Sequence, residues 1–169
     1  MAELLVVGYP EPETARRALE TVELLQSDRV LRTAGAAIVY KAEDGHVGVT
    51  LPGESTGMGA AVGSTAGRVV GILFFMPIGG WLVGGAIGWL AGTLRDWGIS
   101  GDFRAECAEL LQPSSSALVV LVDGAIPDQA VAALQPLGGT VLRTSLSEDA
   151  ERDMRQAFET DRRANGDSG

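Results

Sequence analysis

Gly57-Met58-Gly59-Ala60-Ala61-Val62-Gly63 follows a strand-like run and opens an apolar stretch, so it imitates the glycine turn that cradles a dinucleotide pyrophosphate. That turn needs a second strand after its helix and an acidic residue about 20 positions on to hold the ribose. Here the helix runs into another apolar helix, and Gly79 and Gly80 occupy that neighbourhood. No Walker loop exists. Nucleophilic chemistry would fall to Cys107 or a serine beside a base, yet Cys107 lies on an apolar helical face as a small core residue does. His46 stands alone beside the Asp44-Gly45 turn, where an exposed polar role suffices. The carboxylates Glu3, Glu11, Glu13, Glu20, Glu23, Asp149 and Glu151 fall mostly on polar helix faces or helix starts, where solvation and the helix dipole satisfy them. Nothing calls for an enzyme, a cofactor or a metal.

The one spacing that demands a cause is glycine every fourth residue. Gly59, Gly63, Gly67 and Gly71 form a first run, and Gly80, Gly84, Gly88 and Gly92 a second, with Phe75-Met76-Pro77-Ile78-Gly79 between them. Positions four apart share a helix face, so each run is a bare stripe down an apolar helix. Glycine costs roughly 1 kcal/mol against alanine in a helix, so the stripes oppose folding by about 8 kcal/mol. Small-residue stripes let two helices approach until their backbones touch, most often in apolar or membrane surroundings. The chemistry on offer is assembly.

The chain has 169 residues, which makes one domain or one domain with an insertion. Thirteen basic residues against 22 acidic leave a net charge of -9, which opposes binding to nucleic acid or polybasic docking on anionic lipid. Any membrane attachment must therefore come from apolar insertion. A single cysteine excludes an internal disulfide and a cysteine metal cluster. The start, Met1 to Gly8, lacks a basic segment and reads as a strand, so cytoplasmic synthesis without export is expected.

Strands are predicted at Leu4–Tyr9, Ala36–Tyr40, Val47–Leu51, Ala117–Val122 and Thr140–Leu146. Helices are predicted from Pro12 to Gln26, Phe103 to Leu111, Pro127 to Leu137 and Ser147 to Arg163. Setting the glycine region aside, the order is β-α-β-β-α-β and then α-β-α. This predicts an α+β fold: a ferredoxin-like sandwich, helices on one face of a mostly antiparallel sheet, with an inserted apolar glycine-zipper hairpin. The expected divisions are 1–56 and 99–164 for the two parts of the domain, 57–98 for the insert and 165–169 for a disordered tail. Leu5-Val6-Val7 recurs as Leu118-Val119-Val120, and Val30-Leu31-Arg32-Thr33 as Val141-Leu142-Arg143-Thr144, a hint of internal duplication.

The acidic βαββ start, the glycine hairpin, Trp97-Gly98-Ile99, Phe103, Ser116 to Val122 and Gly138 to Leu146 occur in that order. Together they resemble the bacterial family catalogued as domain of unknown function twelve-sixty-nine. The resemblance covers nearly the whole chain. It implies a small membrane protein and carries over no catalytic residue.

Val69 to Gly92 is charge-free and long enough for one membrane span. Pro77 interrupts it at a cost of roughly 3 kcal/mol, and a single span would strand the two halves of the domain on opposite sides of a bilayer. A hairpin returns the chain to one side and brings the stripes together. Its arms would be roughly 25–28 Å long, close to the ~30 Å of a hydrocarbon core. Arg68 would lie roughly 13 Å from the tip, where full insertion costs about 2.5–3.5 kcal/mol unless it is paired or reaches the headgroups. Phe74, Phe75, Trp81 and Trp97 suit an interface or packing within protein equally.

The expected protein is thus non-enzymatic, with a cytoplasmic domain associated with the inner membrane. The bilayer and itself, as a homo-oligomer, are the partners, and nucleic acid and metal are not. Gly59, Gly63, Gly67, Gly71, Gly80, Gly84, Gly88 and Gly92 carry the assembly, while Arg68 and Pro77 set depth and turn. The alternatives are a soluble ring or shell whose hairpins bundle without lipid, and a small-molecule sensor domain.

Overall fold

The computed structural model describes residues 1–52, 67, 70, 71, 73, 74 and 98–166. Among them the order is β1 (Glu3–Tyr9), α1 (Thr14–Ser27), β2 (Thr33–Lys41), β3 (Val47–Thr50), α2 (Gly101–Leu110), β4 (Ser115–Val122), α3 (Asp128–Leu134), β5 (Thr140–Ser145) and α4 (Glu148–Gly166). This is a mixed α+β domain: one five-stranded sheet in the order β3-β2-β4-β1-β5, every pair antiparallel, with four helices.

Strand β4 lies between β1 and β2, and β5 flanks β1 on its other side. The units β1-α1-β2 and β4-α3-β5 therefore interlock, each lending its second strand to the other's first. The repeated triplets meet directly at the centre, with Leu5 opposite Val120, Val6 opposite Val119 and Val7 opposite Leu118. Strand β3 is an added edge, joined to β2 through the Asp44-Gly45 hairpin. The first six elements in chain order therefore do not make the sheet by themselves.

Helices cover both faces of the sheet, which corrects the one-faced sandwich expected from the sequence. On one face Leu5, Val7, Ile38, Leu118 and Val120 bury against Ala15, Ala18 and Val22 of α1 and Ala130 and Leu134 of α3. On the other, Leu4, Val6, Val39, Val119 and Leu121 share a cluster with Phe103 and Cys107 of α2 and Met154 and Phe158 of α4. The physical reason was legible in the central strands. A half-solvated sheet alternates apolar and polar residues, whereas Ala117 to Val122 is apolar without a break, as double cover requires.

Local signals fix the helix ends. Ser100 accepts from the Phe103 amide at 3.1 Å and Ser147 from the Ala150 amide at 3.2 Å, each satisfying a donor in a first turn. Helix α1 ends on Arg29 in the left-handed region (φ 59°), and the Val30 amide reaches back to Leu25 O at 2.9 Å.

Candidate functional site

Of the residues expected to carry assembly, Gly67 and Gly71 are helical and buried; Gly59, Gly63, Gly80, Gly84, Gly88, Gly92, Arg68 and Pro77 lie outside the described residues. Val70, Leu73 and Phe74 are 1%, 1% and 3% exposed and belong to the same buried cluster as Val39, Val49, Leu51, Phe103 and Phe158. Phe74 is thus a core residue, which decides between the two roles the sequence left open to it. Among the described residues no helix is long and apolar enough to cross a membrane.

The points where the chain leaves and rejoins the domain share one end of the sheet. Strand β3 runs antiparallel to β2, with Ile38 opposite Thr50, so the chain leaves it toward the start of β2. There Leu51 and Pro52 line a small cleft with Gly35, Ala36, Phe158 and Arg162. At the return, a β-carbon on Gly98 would lie 3.6 Å from the Ser147 amide nitrogen, just past the end of β5. The end of β5 is level with the start of β1 and β2, since Glu3 faces both Ser145 and Val122, and Val122 faces Thr33.

A polar network ties that end together. Arg155 of α4 bridges Asp123 after β4 and Glu151 one turn earlier, and Glu151 also accepts from the Ala2 amide at 2.9 Å. The hydrogen bonds that Arg155 donates to Asp123, first, and to Glu151 push its guanidinium pKa up. Glu3 accepts from the Ile126 amide at 2.8 Å. Sequence reasoning assigned Glu3 and Glu151 to solvent or helix dipoles; both instead join segments distant in the chain. The i,i+4 spacing of Glu151 and Arg155 could have signalled half of this network, but Asp123 is reachable only through the fold. Nearby, Gln26, Arg29, Leu31, Arg32, Thr33 and Asp123 line an open cleft of about 420 Å³.

The candidate catalytic groups are placed as packing and turn residues. Cys107 is fully buried, and burial together with Glu106 pushes its thiol up to about 12, so no thiolate is on hand near neutrality. His46 sits at an exposed turn 2.9 Å from Asp44, where its amide and then its ring hold the Asp44 carboxyl below the usual range. The Tyr9 hydroxyl is buried with no hydrogen-bond partner among the described residues, and burial lifts it to about 12. Among the described residues no three His, Cys, Asp or Glu side chains gather as a metal site.

The two buried acids imply a pH dependence. Each is raised in the folded state, from 9.0 for Cys107 and from 10.0 for Tyr9, so their contribution to stability is complete below those values and lost as pH climbs toward 12. Unfolding free energy should start to fall near pH 9, and in Cys107→Ala the onset should move to near pH 10. Urea unfolding at stepped alkaline pH reads the slope.

Compared with known proteins, residues 60–159 match the family model described as a protein of unknown function, DUF1269. No curated protein and no solved structure matches the chain.

Proposed function

The chain belongs to the DUF1269 family, whose model covers the insert, α2, β4, α3, β5 and most of α4, and from that premise we propose a non-enzymatic protein that self-associates through its glycine-rich insert at the bacterial inner membrane. In this reading residues 57–98 form an apolar glycine-zipper hairpin. A ferredoxin-like unit, β1-α1-β2-β4-α3-β5, holds it from the cytoplasmic side. The interlocked strand order supports the second part of that reading.

One observation carries the proposal: Pro52 and Gly98 lie at the same end of the sheet. A chain that leaves and returns at one end suits a reversal near Pro77 better than one continuous span. Four strand spacings, roughly 19 Å, separate β3, where the chain leaves, from β5, where it returns. Two packed helices stand about 8–10 Å apart, and in this reading the short segments 52–56 and 95–98 would take up the difference. The spacing of Gly67 and Gly71, both helical and buried, agrees with a stripe turned toward packing rather than water.

A second reading is favoured by the burial of Val70, Leu73 and Phe74. These residues turn the first arm into the domain, as a soluble oligomer without lipid contact would have it. Cell fractionation separates the two readings. Recovery in washed membranes and resistance to alkaline carbonate are expected for the first. Full recovery in the soluble fraction as one large species would replace it with the second.

A further inference from the structure

Strand β5 is the least buried strand of the sheet and its outer edge is open. Thr140, Arg143 and Ser145 are exposed, Val141, Leu142 and Thr144 half-buried, and the strand pairs only with β1. The interlocked units make this edge conspicuous. Strand β2 is the counterpart of β5, and its outer edge is covered by β3. Among the described residues nothing covers the corresponding edge of β5. The strand has few of the devices that protect an edge. It has no proline, no lysine and no bulge, and its only charge is Arg143.

We propose that the open edge of β5 pairs antiparallel with β5 of a second copy, in the register centred on Leu142. Side-chain direction limits the choices. Leu142 packs toward the α2/α4 face and Val141 toward the α1/α3 face, and directly opposed residues in a sheet share a face. A two-fold axis through the sheet must therefore pass through a residue pair. Centring on Arg143 sets the two guanidinium groups opposite each other, and like charges so placed are destabilising. Centring on Leu142 sets leucine against leucine, Val141 against Arg143 of the second copy, and Thr140 against Thr144 of the second copy. Thr–Thr pairs are among the favourable cross-strand combinations, and Leu142 against Leu142 keeps apolar surface together. Of the two registers that pair five residues of Thr140–Ser145, one is thus self-complementary, which is why a second copy, rather than an unrelated segment, is the strand's occupant. The pairing rests on the self-association proposed above and adds to it a second, separate surface of contact between copies.

Cysteine cross-linking tests the register. Opposed Cα atoms lie about 4.5–5.5 Å apart across an antiparallel pair, inside the range a disulfide spans. Native Cys107 is fully buried and does not compete. Leu142→Cys should convert mostly to disulfide-linked dimer under mild oxidation. Thr140→Cys and Thr144→Cys should link when mixed and not when oxidised separately. Folded Leu142→Cys that stays monomeric on non-reducing gels overturns the pairing, and so does efficient linking of Thr140→Cys with itself. Should Leu142→Cys fail to fold, the mixed threonine variants decide, since Thr140 is exposed and Thr144 only half-buried. Repeating the cross-link in a Gly63→Leu, Gly84→Leu background separates the two interfaces. Linking that persists there supports the edge whatever becomes of the insert, and linking lost there overturns the edge as a contact of its own.

Discussion

Phe74→Ala is expected to cost the domain about 3–5 kcal/mol, the range for removing a buried aromatic ring. The ring is 3% exposed and shares its cluster with residues of β2, β3, α2 and α4, so its loss leaves a void that a close-packed interior closes only in part. Because Phe74 belongs to the insert, its effect reports whether that segment is an integral part of the core. Urea unfolding followed by far-ultraviolet circular dichroism gives the number. A change under about 0.5 kcal/mol, the size typical of a surface substitution, would mean the ring is not packed on the domain. Leu73→Ala, at 1% exposure, should behave alike, with a loss of about 2–5 kcal/mol.

Gly139→Ala is the second severe change, for a different reason. Gly139 has φ 93°, and a β-carbon there would lie 2.6 Å from Gly8 O and 2.7 Å from the Tyr9 ring. Neither neighbour can yield cheaply, since Gly8 is held in β1 between β4 and β5 and Tyr9 is 1% exposed. Backbone strain of about 1–3 kcal/mol adds to overpacking of about 1–3 kcal/mol. The variant should unfold at a markedly lower urea midpoint. Gly138→Ala, also at positive φ but with nothing within 4 Å, should lose only the strain component. Equal losses at the two positions would remove the close approach to β1 as the explanation.

Much of the fold could be read from local pattern. The continuous apolar runs at Leu4–Tyr9 and Ala117–Val122 became the two central strands, and Ala15, Ala18, Leu19 and Val22 became the buried stripe of α1. Where the reading fell short, distant contacts decided. Strand β2 starts at Thr33 rather than Ala36 because pairing with β4 extends order through Ala34 and Gly35, residues with little strand preference of their own. Covering both faces follows from the unbroken apolar strands, yet the helices give no local sign of which face each takes. The partners of Phe74 and the link from Arg155 to Asp123 span long stretches of sequence, and periodicity carries no such information. For the glycine stripes the pattern fixes a face and a spacing, while what lies against that face is a matter of assembly.

The most direct measurement is therefore sedimentation of the purified protein beside its Gly63→Leu, Gly84→Leu variant, both shown to be folded. Intimate packing of the glycine faces predicts a parent several times the monomer mass and a variant reduced to no more than the dimer that the β5 edge allows. Identical masses for the two would contradict it.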